Sequence, residues 1–259
     1  MQDKLIQHTT SLDLPQADLE NLTPIQFAAK YGVISYIEDR LSSIEPSQLP
    51  EILEKQTAHG GFSALHYATF FGHRDCVEAL LKYGASIHKL TGLQQLPIQL
   101  ALISPKNDKE TKLALFALLN TDPANLSHSN RLGDTVAHLA AEFNLPEILS
   151  AIKTINERVL SSKNRQGMTP LLVSLLNQSM NATSVLMDDT AALQEKDSNE
   201  RNALHYAALY GNKHCVEALL PYFDKNLRDH DGKKASDYAA QRNDPAMLAI
   251  LGATGPELR

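Results

Sequence analysis

Residues 61–84 read GFSALHYATFFGHRDCVEALLKYG, and residues 200–220 read ERNALHYAALYGNKHCVEALL. Aligning Ala64–Leu81 with Ala203–Leu220 gives 12 identities in 18 positions. A duplication this clear predicts that the chain is an array of repeats and not a single irregular domain.

The first of these stretches predicts two short helices joined by a tight turn. Ser63 can cap the first helix, because its hydroxyl can accept a bond from an unpaired backbone N–H. Residues 64–69 then place small and apolar side chains at helical spacing. Gly72 ends this helix, since glycine enters the left-handed region without steric cost. Residues 77–81 supply the apolar stripe of a second helix, which Gly84 ends.

This unit resembles the ankyrin repeat, because residues 63–68, SALHYA, match the family motif Thr-Pro-Leu-His-x-Ala. The resemblance implies an all-α solenoid of stacked helix–turn–helix units, joined by finger-like loops. Applied to the whole chain, it gives about seven repeats, of which the outer ones are partly degenerate. Their motifs start near residues 23, 63, 96, 135, 169, 202 and 234.

The spacing of these starts defines the expected domain organisation. Four of the six spacings are 32 to 34 residues, close to the 33 of an ankyrin repeat, and the other two are 40 and 39. The excess falls in two insertions, 42–59 and 104–112, and a short helix is expected near Pro50. We expect an array over residues 21–252, an N-terminal cap over 1–20 and a C-terminal tail over 253–259.

Composition favours a folded protein without a membrane span. The chain of 259 residues is 43% hydrophobic and 21% charged, and it contains no apolar run long enough to cross a bilayer. The N-terminus lacks a secretory pattern. The net charge of −6 and the absence of a strong basic run argue against a nucleic-acid partner.

Two cysteines, Cys76 and Cys215, occupy the same position in two similar repeats. Equivalent positions of distant repeats cannot meet, so the sequence predicts two buried thiols and a reducing, cytoplasmic location. The His and Cys spacing is not that of a zinc site, and we expect neither metal nor cofactor. His214 and Cys215 are adjacent helical residues that point apart, so they do not form a nucleophile pair.

The resemblance assigns a structural role to the residues that begin each repeat. The cap hydroxyl and the motif histidine are expected to bond to each other and to neighbouring backbone. These residues are Thr23, His66, Thr135, His138, Thr169 and His205. No catalytic residue is predicted, since phosphate loops, nucleophile elbows and His-Glu-x-x-His motifs are absent from the sequence.

The resemblance also places partner contacts at the loop tips and at the last residues of each first helix. Large apolar and basic side chains recur at these positions, as expected of a partner surface. The predicted partner-binding residues are Tyr31, Phe62, Phe70, Phe71, Phe143, Arg165, Met168, Arg201, Leu209, Tyr210 and Arg242. The alternative is that several of them pack against adjacent loops. Asn226 occupies a loop position that is hydroxylated in some family members, although asparagine also suits such turns.

Three functions are compatible with these patterns. The leading one is a non-catalytic, monomeric scaffold that binds a partner protein through its concave face and finger loops. The second is a bacterial effector, or the ankyrin portion of one, that engages a host protein in the host cytosol. It is suggested by the irregular repeats and the two insertions. The third is an enzyme whose site lies on residues 42–59 or 104–112, because loops on rigid scaffolds can carry function.

Overall fold

A computed structural model describes residues 21–188 and 193–252. Within these ranges every regular secondary-structure element is a helix, and there is no strand. The predicted all-α class is therefore confirmed. The expected N-terminal cap, residues 1–20, and the C-terminal tail, residues 253–259, lie outside the described residues.

The first helix of each repeat begins one residue after a predicted motif start. These helices span Pro24–Tyr31, Ala64–Phe70, Pro97–Ile103, Val136–Glu142, Pro170–Leu176, Ala203–Leu209 and Ala235–Gln241. Three of the seven open on proline, which lacks the N–H that would be unpaired at that position.

The second helices vary more in length than the first helices do. They span Ile34–Ser42, Arg74–Lys82, Lys109–Leu119, Pro146–Asn156, Met180–Leu186, Lys213–Leu219 and Pro245–Ile250. Five short elements complete the described chain. They are two α-helical turns, Leu49–Leu53 and Ala124–Ser127, and three 3₁₀ turns, Pro46–Gln48, Glu157–Ser161 and Leu220–Tyr222.

The chain divides into two compact units, with the boundary between Arg131 and Leu132. In the first unit, the first helices of repeats one, two and three pack side by side, and so do their second helices. In the second unit, the first helices of repeats four to seven pack in the same order. Each unit therefore consists of stacked helical hairpins, and each hairpin buries its apolar faces against its neighbours.

Small residues on the first helices allow this close packing. Ala29, Ala68, Ala140 and Ala207 are all 0% exposed. Larger aliphatic side chains on the second helices fill the remaining space, and each buried leucine or valine contributes about 1.5–3 kcal/mol. Repeat five has Ser174 in the alanine stripe, and its hydroxyl lies 2.8 Å from the hydroxyl of Thr183.

Candidate functional site

The motif histidine of repeat two connects three segments of the chain. Nδ1 of His66 accepts the backbone N–H of Ser63 at 3.0 Å and lies 2.8 Å from its hydroxyl. Because Nδ1 accepts an N–H, the ring proton is on Nε2, which donates to the carbonyl of Lys89 at 3.0 Å. Burial lowers the pKa of His66 to about 4. The neutral imidazole thus joins its own cap to the loop that leads into repeat three.

The same arrangement recurs twice in the second unit. His138 lies 2.9 Å from the hydroxyl of Thr135 and 2.9 Å from the carbonyl of Met168. His205 lies 2.7 Å from Oδ1 of Asn202 and 3.2 Å from the carbonyl of Lys233. Burial lowers the pKa of both imidazoles. The three histidines are used within the fold, so they are not candidates for catalysis.

Two glutamines perform this role in repeats one and three, which lack the histidine. Gln26 accepts the Thr23 N–H through Oε1 at 2.9 Å, and its Nε2 donates to the Lys55 carbonyl at 2.9 Å. Gln99 donates to the His128 carbonyl at 3.2 Å. Sequence reasoning missed both residues. Their position, three residues after the helix cap, was the signal that could have found them.

The finger loops are held in register by backbone hydrogen bonds. In the first unit, the Gly92 N–H donates to the Gly60 carbonyl at 2.8 Å, and the Arg131 N–H donates to the Leu93 carbonyl at 3.2 Å. The second unit has three such bonds, at 2.9 to 3.0 Å. They are Arg165 N–H to Leu132 O, Ser198 N–H to Gln166 O and His230 N–H to Asn199 O. These bonds fix exposed loop tips in a row within each unit.

Buried polar side chains support the base of the later loops. Asp197 is 5% exposed and accepts the Tyr206 hydroxyl at 2.9 Å. The guanidinium of Arg201 lies 2.7 Å from the same carboxylate. Burial, together with the neighbouring carboxylate, raises the pKa of Tyr206. In repeat seven, Tyr238 bonds Asp229 in the same way.

Three of the predicted partner-binding residues are buried, and the expectation that they are exposed contact residues is wrong. Phe62 is 3% exposed, and Phe70 and Met168 are each 4% exposed. Phe62 lies at the position before the helix cap and packs on the ring of Tyr67, at 5.4 Å between centroids. Met168 occupies the equivalent position before Thr169, where its sulfur lies 3.5 Å from the Tyr206 hydroxyl. Apolar side chains at these positions fill the joint between repeats.

The other predicted contact residues retain exposed surface to different degrees. Tyr31, at 55%, and Arg165 are exposed. Arg242 is exposed, but it donates to the Leu209 carbonyl at 3.2 Å and so also caps the preceding repeat. The remaining members are half-buried, namely Phe71, Phe143, Arg201, Leu209 and Tyr210.

Side chains in the turn insertion of repeat three bond to the backbone of neighbouring first helices. The amide of Asn107 donates to the carbonyls of Thr69 and Ala101, at 3.1 and 3.0 Å. The Ser104 hydroxyl donates to the Phe70 carbonyl at 2.5 Å. In this insertion, the side chains of Ser104 and Asn107 hold the C-terminal end of the preceding first helix.

The thiols and acidic side chains suggest no metal site in the described ranges. Cys76 and Cys215 are free and buried, and burial raises the pKa of Cys76 to about 11. No group of three or more His, Cys, Asp or Glu residues in residues 21–188 and 193–252 is placed to hold a metal ion. Asn226 is exposed, and its Oδ1 accepts from Lys234 at 3.0 Å.

A family model described as ankyrin repeats, in three copies, matches residues 3–91 and 177–258. The two segments together make up more than half of the chain. The chain belongs to the ankyrin-repeat family. The resemblance that was based on residues 63–68 is therefore confirmed, and the ankyrin motif histidines are the imidazoles described above.

Several curated ankyrin-containing proteins are similar to most of the chain. Ankyrin repeat protein nuc-2 of Neurospora crassa is 24% identical over 81% of the chain. The transient receptor potential channel subfamily A member 1 homolog of Caenorhabditis elegans is 26% identical over 69%. The putative E3 ubiquitin-protein ligase XBAT31 of Arabidopsis thaliana is 28% identical over 54%. The chain spans 19%, 14% and 34% of the lengths of these relatives, respectively.

Two solved ankyrin-repeat domains share the fold over nearly the whole chain. The human ASB11 ankyrin repeat domain matches with a TM-score of 0.71, covering 91% of this chain and 99% of that one, at 21% identity. The ankyrin repeat domain of Bcl-3 matches with a TM-score of 0.70, covering 88% and 99%, also at 21% identity. No helix in the described ranges combines the length and apolar character that a bilayer crossing requires.

Proposed function

We propose that the chain is a non-catalytic scaffold that binds a partner protein through its finger-loop tips and the exposed ends of its first helices. Ankyrin repeats are generally protein–protein interaction modules, and the fold is typically non-catalytic. The proposal rests on the row of backbone hydrogen bonds between successive loops within each unit. These bonds order the exposed loop tips in the absence of a partner. Binding to such a surface loses little loop entropy.

The second unit offers the best defined part of this surface. Arg165 and His230 are exposed at loop tips whose backbones are bonded to neighbouring loops at 3.0 and 2.9 Å. Phe143, Leu209 and Tyr210 are half-buried at helix ends. A polar rim beside partly apolar side chains is the usual composition of a protein interface. The partner expected from this composition is a protein with an acidic rim around an apolar contact.

The test compares two charge-matched double variants of the full chain. Arg165→Glu/His230→Glu alters the loop tips, whereas Arg158→Glu/His214→Glu changes the same residue types at exposed positions outside them. Each immobilised protein is used to capture partners from an extract, and bound proteins are quantified by mass spectrometry. At least one protein should bind wild type and the control equally and bind the loop-tip variant about tenfold less. Identical capture by all three proteins would refute the assigned surface.

The two alternatives have less support. The relatives named above come from a fungus, a nematode and a plant, and the hypothesis of a bacterial effector stays untested. The enzyme hypothesis for residues 104–112 is weakened by the structural bonds of Ser104 and Asn107. The protein-binding scaffold is therefore the better supported function.

A further inference from the structure

The first helix of repeat one leaves uncovered a position that later repeats bury. Phe27 lies four residues after the cap Thr23 and is 53% exposed. The equivalent side chain is at most 6% exposed in every later repeat. These side chains are Tyr67, Leu100, Leu139, Val173, Tyr206 and Tyr238. An aromatic ring at a core position is therefore left open in repeat one alone.

The second helix of repeat one shows the same departure. Tyr36 is 40% exposed. The equivalent side chain lies 13 residues after the cap in repeats two, four, five, six and seven. It is buried in all five, with at most 2% of its surface exposed. These are Cys76, Ile148, Ala182, Cys215 and Met247. Two core positions, one on each helix of the hairpin, thus face outward together.

These side chains line one apolar depression of about 370 Å³. Its lining residues are Leu22, Pro24, Phe27, Ala28, Val33 and Tyr36. Val33 is itself 41% exposed. Residues 27–36 contain four strongly exposed large hydrophobic side chains. Such a cluster is unusual, because exposed apolar residues that have no function are normally scattered singly over a surface.

The later repeats show what covers this face. The Tyr67 ring packs against Phe62, which directly precedes the cap of repeat two. The Tyr206 hydroxyl bonds Asp197, five residues before the cap of repeat six, and also contacts Met168 of the preceding repeat. Cover therefore comes from the N-terminal side of each repeat, both from the chain that runs into the cap and from the preceding repeat. Residues 1–22 directly precede the cap of repeat one in the sequence, and Leu22 lines the depression.

We propose that residues 3–20 of this chain occupy the depression and cover Phe27 and Tyr36. The segment carries five large aliphatic residues, Leu5, Ile6, Leu12, Leu14 and Leu19, which match the apolar lining. It is tethered at the rim, so docking is intramolecular and the effective concentration is high. The match to the ankyrin family model begins at residue 3, before the first helix of repeat one. This inference does not depend on the proposed partner-binding function.

The test is hydroxyl-radical footprinting of the full chain, with protection of each ring normalised to its intrinsic reactivity. Tyr222, at 52% exposed, is the internal reference for an open ring, and Tyr206, at 2%, is the reference for a buried ring and for intact folding. Phe27 and Tyr36 should react at least threefold more slowly than Tyr222. Tyr31, whose equivalents are half-buried or exposed in most later repeats, should react like Tyr222.

Two segment variants identify the occupant. Leu5→Ser/Ile6→Ser or Leu12→Ser/Leu14→Ser should raise the labelling of Phe27 and Tyr36 at least threefold, with Tyr206 still protected. The control Gln7→Ser/Thr10→Ser should leave it unchanged. Full labelling of both rings in wild type would overturn the proposal, as would protection that neither variant reduces. Protection that appears only as protein concentration rises would overturn it in favour of a second copy of the chain.

Discussion

The Nε2 atom of His66 lies 3.0 Å from the carbonyl oxygen of Lys89, 23 residues further along the chain. The other ring nitrogen accepts the N–H of Ser63, so one side chain satisfies backbone groups of two consecutive repeats. Both backbone groups would otherwise be costly to bury. Through this connection the imidazole of His66 holds the cap of its own repeat against the loop that leads into the next one.

Replacing His66 by alanine should destabilise the chain strongly, whereas glutamine should be tolerated. Alanine leaves the Ser63 N–H and the Lys89 carbonyl without the imidazole. At about 1–3 kcal/mol for each buried unsatisfied group, we expect a loss of about 2–6 kcal/mol in the free energy of unfolding. Glutamine should lose less than half of this, because Gln26 and Gln99 make equivalent bonds in repeats one and three. Urea unfolding measures both. Equal losses would contradict the proposed equivalence.

The buried imidazole also predicts a stability that falls in mild acid. The pKa of His66 is about 4 in the folded chain, because burial disfavours the charged ring, and its unfolded value is 6.5. The unfolded chain therefore binds more protons below pH 6.5. The contribution of His66 to the free energy of unfolding is fully present above that pH. It declines as pH falls toward 4, by up to about 3 kcal/mol.

The measurement is the urea midpoint between pH 7.5 and 4.5 for wild type and His66→Gln. Other groups, including His138 and His205, titrate in both proteins, and their pKa values are also lowered by burial. The difference between the two proteins isolates His66. Parallel pH profiles would show that this imidazole is not neutral in the folded state.

Two loop glycines with the same backbone conformation should differ in their tolerance of alanine. Gly167 has φ +75° and Gly232 has φ +73°, so each substitution costs about 1–2 kcal/mol for the left-handed conformation. A Cβ at Gly167 would also lie 2.6 Å from the backbone nitrogen of Ser198, whereas one at Gly232 meets nothing within 4 Å. Gly167→Ala should therefore cost at least about 1 kcal/mol more, because it displaces the Ser198 N–H bond to Gln166.

Amide hydrogen exchange provides a second test of the two glycine substitutions. In Gly167→Ala, the amide of Ser198 should exchange faster, since its bond to the neighbouring loop is weakened. In Gly232→Ala it should exchange at the wild-type rate. Similar unfolding free energies for the two variants would mean that the loops can separate without loss, and the ordered row of loop tips would then lack support.

The sequence predicted the helical hairpins well, because their determinants are local. Thr23, Ser63 and Thr169 each precede a helix, and the caps depend on residues within the same turn. Burial was predicted poorly, since it depends on the adjacent repeat. Phe70 was predicted to be a surface contact, yet it is 4% exposed, and Ser104 in the turn of repeat three donates to its carbonyl. Gln26 and Gln99 were missed because their partners lie about 30 residues away.

The carboxylate of Asp197 should matter more for stability than its sequence position in a loop suggests. It accepts the Tyr206 hydroxyl and pairs with the half-buried guanidinium of Arg201. Asp197→Ala leaves both groups without this partner and should cost about 2–4 kcal/mol. Tyr206→Phe removes one hydrogen bond and should cost about 1 kcal/mol. The exposed control Glu200→Ala, which removes a surface pair with Lys196, should leave the urea midpoint unchanged.

Phe70 and Leu209 occupy equivalent helix ends in repeats two and six, yet alanine should affect them differently. Phe70 is 4% exposed, and its removal leaves a cavity that should cost about 3–5 kcal/mol. Leu209 is half-buried and keeps its backbone bond from Arg242 after substitution, so the loss should be about 1 kcal/mol. Thermal and urea unfolding of the two variants measure this difference. Comparable losses would show that the burial of Phe70 contributes little, and Phe70 would return to the set of candidate partner contacts beside Leu209.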